Sequence, residues 1–442
     1  MSDLQKNQTA INATTNVATS ADDSCDYKQT LLAIDDVLNV LRDKAKTVNS
    51  VETIPILKAR TRILAKDITS SINVPPADNS AMDGYAFNAA DIADAATTST
   101  SADGFDVSQR ICAGDFGEPL NKGTVARIFT GAPIPAGADT VVMQENCDRQ
   151  GDKVVIQSIP QAGSNVRKAG EDIKQGDVIL KAGHKLRPQD LGLVASVGIS
   201  ELSVKRRLKV AIFFTGDELR QPGETLGPGQ IYNSNRFTLN GLLESLNCEV
   251  IDLGIIEDNL AATEAALLEA AAKADLVMTS GGVSVGEEDH IRKALEANGE
   301  LGLWRVNIKP GKPFVFGEIH HQSGNTAFMG LPGNPVSVFA TFCIFARPYI
   351  LKKQGSNEQP PKSFMVESGF EISKKETRNE YLRARLDYDD SGKASITLYP
   401  NQSSGVLTSA SWGNGFAFVP AQTLVSKGDL IQFTPFSELS LG

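Results

Sequence analysis

The chain contains a glycine-rich stretch, Thr279-Ser280-Gly281-Gly282-Val283-Ser284-Val285-Gly286-Glu287-Glu288-Asp289, between two segments of different pattern. The apolar run 274–278 before it is typical of a buried strand, and 289–298 after it has helical spacing. A strand, a glycine-rich turn and a helix start form a phosphate cradle, because glycine lets the backbone N–H groups approach an anion closely. The acidic residues at its end would repel phosphate, so a divalent cation between them is expected. The alternative is a plain tight turn.

The segments around this stretch alternate between strand and helix patterns. Short apolar runs predict strands at 208–214, 249–256, 275–278, 304–308, 314–318 and 326–331. Helical spacing between several of these runs predicts an α/β domain with a mostly parallel sheet and helices on both faces. Such sheets bind ligands beyond the carboxyl ends of their strands. The polar loops that fall there are 215–218, 258, 280–289, 309–312 and 330–335.

Composition changes along the chain of 442 residues, which is long enough for about two to four domains. The polar start predicts a disordered tail at 1–27. Short apolar runs separated by Pro and Gly predict a β-rich insertion domain. Within it, the Ala/Thr/Ser-rich segment 91–106 is expected to be an exposed loop. Short alternating runs near the end predict a small β-barrel, with a β-sandwich as the alternative. The expected units are a linking domain at 28–50 and 165–205, the β-rich domain at 51–164, the α/β domain at 206–358 and the C-terminal β domain at 359–442.

Charge and cysteine content exclude several classes of protein. A net charge of −10 argues against nucleic acid or an anionic membrane as the main partner. The five cysteines and four histidines are scattered without metal-ligand spacing, which predicts reduced thiols in a cytoplasmic protein and no zinc site. No secretory signal is evident at the start. The longest apolar run, 336–351, contains Arg347 and Pro348 and is too short to span a bilayer, so we expect a core helix.

Two further loops have the composition of anion sites. Lys309-Pro310-Gly311-Lys312-Pro313 has two lysines on a stiff backbone, an arrangement that holds one oxyanion from two directions. Pro332-Gly333-Asn334-Pro335-Val336-Ser337 stands between a strand and a helix and offers a second anion nest. The alternatives are solvated lysines on a turn and an ordinary helix start with proline in its first turn.

Carboxylates accompany these loops. Beside phosphate-binding loops they suggest Mg²⁺ bridging the protein and a phosphorylated ligand, although each alone is more often a solvated or capping acid. The acids on neighbouring loops are Asp217, Glu218, Asp258, Glu288 and Asp289. The histidines have no serine or cysteine partner in a sequence motif, so covalent catalysis ranks low.

Taken together, the motifs resemble the MoeA family of molybdenum cofactor synthesis, the bacterial molybdopterin molybdenumtransferases, which also occur as the E domain of gephyrin. The resemblance spans about residues 28–440. Its anchors, in order, are 78–86, 127–132, 167–173, 215–219, 280–286, 309–313 and 331–337. Only the Gly-Gly-Val-Ser and Pro-Gly-Asn-Pro pieces are shared with molybdopterin adenylyltransferases and CinA-like proteins.

The resemblance implies a multidomain subunit in an elongated homodimer, with each active site between two subunits. It implies insertion of the substrate molybdate into adenylylated molybdopterin, with Mg²⁺ as cofactor and release of AMP. A molybdopterin adenylyltransferase and molybdoenzyme maturation proteins are implied as partners. Adenylylation of molybdopterin and a non-enzymatic, gephyrin-like scaffold remain alternatives. Adenylylation is disfavoured because a minimal adenylyltransferase does not need the β-rich and C-terminal modules.

The resemblance also assigns residues. It places Glu218, Asp258 and Asp289 at the nucleotide and Mg²⁺, and has Asp83 and Thr130 lent by the partner subunit, all five being catalytic. The implied molybdate side is Lys309, Lys312, Pro313, Ser337, Ser404 and Arg383, and the implied substrate loops contain Gly281, Gly282, Ser284, Pro332, Asn334 and Pro335. Asp172 is a motif acid without an assigned role. Arg383 and Ser404 are placed by approximate spacing, and Arg305 stands where some members have lysine.

Overall fold

A six-stranded sheet lies at the centre of the computed structural model, which describes residues 31–97, 104–282 and 290–439. In spatial order its strands are Glu249–Ile256, Lys209–Thr215, Leu276–Ser280, Gly324–Leu331, Pro313–His321 and Gly299–Arg305. The first four run parallel, and the last two join antiparallel to their neighbours. The prediction of a mostly parallel α/β sheet is therefore confirmed, with an antiparallel edge.

Both faces of the sheet are covered, as continuous apolar strands require. Along Lys209–Thr215, successive side chains enter two different cores, with Ile212 and Phe214 in one and Ala211 and Phe213 in the other. The helices Leu260–Lys273 and His290–Asn298 fill the second core. The first core takes the helix Ser234–Ser245 and the helical segment Pro335–Thr341, Phe342–Ala346 and Arg347–Lys353, whose middle part is a π-helix.

The N-terminal helix Ile34–Lys44 also packs on the first core, through Val37 and Leu41. The sequence groups 28–50 with the linking segments, but this helix shares its buried face with the α/β domain. The linking segments have a core of their own, made by paired short strands and one helix, and it includes residues 51–69, which the sequence assigns to the β-rich domain. These are Val51–Pro55 with Glu201–Lys205, Ile68–Thr69 with Val178–Leu180, and Pro188–Ser196.

The β-rich domain contains a second six-stranded sheet, in the order Thr140–Met143, Gly84–Phe87, Val125–Ile128, Phe105–Ile111, Lys153–Ile156 and Cys147–Gln150. The expectation of an exposed loop at 91–106 is wrong at both ends of that segment, because a helix covers Ala89–Thr97 and Phe105 begins a strand. Asn88 caps this helix by accepting the N–H groups of Ala90 and Asp91, and Ile92 is buried. Residues 98–103 lie outside the described part.

The C-terminal domain is a closed five-stranded barrel, as predicted. Its strands are Phe364–Ser368, Asn379–Tyr388, Ala394–Leu398, Gly415–Val419 and Leu430–Pro435, with the helix Leu407–Trp412 beside them. The barrel closes because Asn379–Tyr388 pairs with both Ala394–Leu398 and Gly415–Val419. Asn379–Tyr388 also pairs with Ile308–Lys309, which ties the barrel to the α/β domain. None of the described helices is long and apolar enough to cross a membrane.

Candidate active site

A cavity of about 1000 Å³ opens where the parallel strands of the central sheet end. Five segments of the α/β domain line it, within 215–219, 231–235, 280–282, 309–313 and 332–337, together with Arg378 and the loop 402–405 of the barrel. The antiparallel strand Pro313–His321 begins at this same edge, because Val315 lies opposite Gly330. Ten predicted residues are among its lining: Glu218, Gly281, Gly282, Lys309, Pro313, Pro332, Asn334, Pro335, Ser337 and Ser404.

Two glycine loops face each other across the floor of this cavity. Gly281 and Gly282 follow the buried strand Leu276–Ser280 and have positive φ angles of 87° and 61°. A Cβ atom built on Gly333 would lie 3.6 Å from the Gly281 Cα atom, which is van der Waals contact, so the two loops lie side by side. The Asn235 Nδ2 atom donates to the Gly333 carbonyl at 2.7 Å and holds the second loop.

Lys309 is a cation in the cavity lining, and it is already paired. Its Nζ atom lies 3.0 Å from Glu380 and 3.1 Å from Glu376, both of the C-terminal domain. Burial opposes protonation, but hydrogen bonds with these two carboxylates raise the pKa of Lys309. Lys312 is exposed and is not part of the lining, although its carbonyl accepts the Val306 N–H. The structure therefore separates the two lysines that the sequence places together.

The barrel closes one side of the cavity with the loop 402–405. The Ser404 carbonyl accepts the N–H of Val336 at 3.0 Å, which fixes this loop against the start of the helix Pro335–Thr341. Arg378 also lines the cavity, and its Nη1 atom donates to the Ile308 carbonyl at 2.9 Å. We define the oxyanion end of the cavity as Lys309, Arg378 and Ser404.

Arg383, which the sequence assigns to the molybdate side, is 1% exposed and is not among the lining residues. It donates to the Ser409 hydroxyl at 3.0 Å and to the Ser403 carbonyl at 3.4 Å, so it braces the 402–405 loop from behind. The arginine that reaches the cavity is Arg378. Sequence reasoning missed it because its position depends on the pairing of Ile308 with Asn379, residues far apart in the chain.

The predicted metal acids are dispersed. Glu218 lines the cavity, whereas Asp217 and Asp258 are exposed and lie outside the lining. Asp289, Glu288 and Ser284 lie outside the described residues, and within the described ranges no three His, Cys, Asp or Glu side chains form a metal-binding group. Two buried oxygens of the lining, Ser280 Oγ and Asn235 Oδ1, have no hydrogen-bond partner. These two oxygens and the Glu218 carboxylate, all in the cavity lining, are of the donor type that Mg²⁺ prefers.

Asp83 and Thr130 lie in the β-rich domain and do not line the cavity of their own chain. Asp83 Oδ1 accepts hydrogen bonds from the Thr130 N–H at 2.8 Å and from its hydroxyl at 2.7 Å. These bonds hold the pKa of Asp83 below its usual value. Arg127 joins the two loops, because its Nη1 atom donates to the Gly84 carbonyl and its guanidinium stacks on Phe129. The pair is therefore preformed and charged.

Comparison with known proteins decides the family. Sequence models match residues 32–198 for the MoeA N-terminal region (domain I and II), 211–352 for a probable molybdopterin binding domain and 366–436 for the MoeA C-terminal region (domain IV). A molybdopterin molybdenumtransferase from Haemophilus influenzae is 39% identical over 412 residues, which cover 92% of this chain and 100% of that protein. This chain belongs to the MoeA family.

Other MoeA relatives agree over nearly the same length. A molybdopterin molybdenumtransferase from Nostoc sp. is 33% identical over 405 residues, covering 90% of this chain and 92% of that protein. The crystal structure of a molybdopterin biosynthesis moeA protein from Pyrococcus horikoshii has a TM-score of 0.76 at 29% identity, covering 92% of this chain and 100% of that one. The multidomain MoeA fold and a transferase function in molybdopterin metabolism follow from these similarities.

Proposed function

We propose that this chain inserts molybdate into adenylylated molybdopterin, releasing AMP and forming molybdenum cofactor. The observation that carries the proposal is the cavity itself, in which two glycine loops suited to phosphate face an oxyanion end of two cations. A phosphorylated ligand and a small oxyanion are the two substrates that this reaction requires. The relatives named molybdopterin molybdenumtransferase support the same reaction.

The glycine loops bind the nucleotide phosphates in this proposal, because their backbone N–H groups are the donors that close approach makes available. Ser280 and Asn334 line the same floor and orient the ligand. Glu218, Ser280 Oγ and Asn235 Oδ1 would hold Mg²⁺. When bound, the ion supplies charge neutralisation at the phosphates during hydrolysis of the anhydride.

The oxyanion end binds molybdate, a tetrahedral dianion. Lys309 and Arg378 provide charged donors from two domains, and Ser404 and Ser337 provide neutral ones. The dithiolene sulfurs of molybdopterin must reach the same point, so the pterin lies between the glycine loops and the barrel. The role of Arg383 is to hold the 402–405 loop at this place.

The chain acts as a homodimer in this proposal, with Asp83 and Thr130 entering the cavity of the partner subunit. Their preformed contact is ready to act on a ligand bound outside their own chain. The cellular setting is the cytoplasm, with a molybdopterin adenylyltransferase as the supplier of substrate and molybdoenzyme maturation proteins as recipients of the product.

AMP release from adenylylated molybdopterin tests the proposal. The expected result is release that needs both Mg²⁺ and molybdate and is accompanied by cofactor able to activate a molybdoenzyme. Binding of the substrate without AMP release under any condition would contradict it. Consumption of ATP with release of pyrophosphate would instead show an adenylyltransferase.

A further inference from the structure

Lys309 is held by two carboxylates that lie behind it as seen from the cavity. Glu380 stands directly opposite Lys309 in the parallel pairing of Ile308–Lys309 with Asn379–Tyr388, and its side chain is 8% exposed. Glu376 comes from the segment before that strand and is 36% exposed. Neither lines the cavity, so both act on the oxyanion end through Lys309.

Two carboxylates next to the lysine of an anion site weaken the attraction of that site for an anion. The formal charges of Lys309 and Arg378 are cancelled by those of Glu376 and Glu380. An arriving dianion is attracted by the two cations and repelled by the two carboxylates, and the buried Glu380 is screened least by water. A site built only for tight capture of an oxyanion would hold its lysine with neutral acceptors, such as carbonyl oxygens, because an ammonium group only donates hydrogen bonds.

We propose that Glu376 and Glu380 compete with the incoming oxyanion for Lys309 and so set the affinity and charge selectivity of this end of the cavity. The ammonium group exchanges a carboxylate partner for the oxyanion, and no covalent bond changes. Weakly charged anions gain too little from the exchange to displace a carboxylate, whereas a tetrahedral dianion gains enough. Both glutamates are positioning residues, and the inference rests on the proposed placement of molybdate at Lys309.

The same contacts connect oxyanion binding to the barrel. Lys309 belongs to the α/β domain, and both glutamates belong to the C-terminal domain, next to Arg378 and its hydrogen bond to Ile308. Exchange of the partner of Lys309 therefore loosens one of the ties between these domains. Oxyanion binding therefore alters the contacts between the barrel and the α/β domain at this side of the cavity.

Titration calorimetry with molybdate alone tests the exchange. Glu380→Gln is expected to bind molybdate about tenfold more tightly than the wild type, and Glu376→Gln about threefold, since its exposure weakens the competition. The matched control is Glu367→Gln, which removes a barrel carboxylate paired with Lys393 at 2.6 Å but away from the cavity, and whose molybdate affinity should be unchanged. The gain should disappear in Glu380→Gln combined with Lys309→Ala.

One result would overturn the inference and leave the proposed function intact. In it, Glu380→Gln binds molybdate no more tightly than the wild type, while Lys309→Ala binds molybdate more weakly than the wild type. Equal binding by Lys309→Ala and wild type would overturn the placement of molybdate at Lys309 as well. If Glu380→Gln does not fold, the exposed Glu376→Gln carries the test. In the AMP assay, the molybdate concentration for half-maximal rate should fall without a rise in maximal rate, a split that mere structural damage does not produce.

Discussion

At the scale of single residues, the structure distinguishes side chains that the sequence treats as equivalent. Lys309 and Lys312 belong to one motif, but only Lys309 lines the cavity. Lys309→Ala should therefore raise the molybdate concentration needed for half-maximal AMP release by at least about tenfold, whereas Lys312→Ala should change it by less than about threefold. Steady-state kinetics with varied molybdate measures both. Equal effects of the two changes would contradict the assignment.

Two arginines of the barrel differ in the same way. Burial lowers the pKa of Arg383 to about 10, so it remains charged at neutral pH and its loss leaves buried acceptors unpaired. Arg383→Ala should lower the free energy of unfolding by about 2 kcal/mol or more, measured by urea denaturation. Arg378→Ala should leave that free energy nearly unchanged and weaken molybdate binding. If Arg383→Ala instead weakened molybdate binding and Arg378→Ala lowered the free energy of unfolding, Arg383 would be the residue that contacts the ligand.

At the scale of elements, the helix Ala89–Thr97 shows where local pattern misleads. The Ala/Thr/Ser composition of 91–106 is typical of a loop, yet alanine is the strongest helix former, and the Asn88 cap and the buried Ile92 stabilise a short helix here. Five of the six strands of the central sheet were predictable because their apolar runs are continuous, whereas the edge strand lies at Gly299–Arg305 and not at the predicted 304–308. The antiparallel strands could not be identified from the sequence, because strand direction depends on whether the connection is a hairpin or a crossover.

The helix Pro188–Ser196 offers a pH test at this scale. Asp190 is 3% exposed; burial alone would raise its pKa, but hydrogen bonds from Arg187 and His184 lower it to about 2. A depressed pKa adds stability above the unfolded value of about 3.9, and this stability is lost as pH falls toward 2. Asp190→Asn should cost about 2 kcal/mol at pH 7 and progressively less below pH 4. A penalty independent of pH would show that the carboxylate charge is not the cause.

At the scale of the whole molecule, the separation of Asp83 from the cavity predicts complementation between subunits. At molybdate concentrations well below the half-saturation of Lys309→Ala, Asp83→Asn and Lys309→Ala should each release little AMP alone, because every site lacks one group. Random mixing should restore about a quarter of wild-type activity, since half of the dimers are mixed and each mixed dimer has one intact site. AMP release after co-expression measures this. As a control, Lys309→Ala mixed with Arg378→Ala, a variant of the same side of the site, should show no gain beyond the activities of the separate proteins.

The alternation of strands and helices in the α/β domain, the glycine loops at strand ends and the family were readable from the chain, because each depends on residues close together in sequence. Which cations line the cavity, and which acids pair with them, was decided by the tertiary structure. Arg378 replaces Arg383 in the lining, and Glu380 reaches Lys309, because one strand of the barrel pairs with Ile308–Lys309. A one-residue shift in a strand moves every side chain to the other face. That register depends on packing between domains, which no local pattern contains.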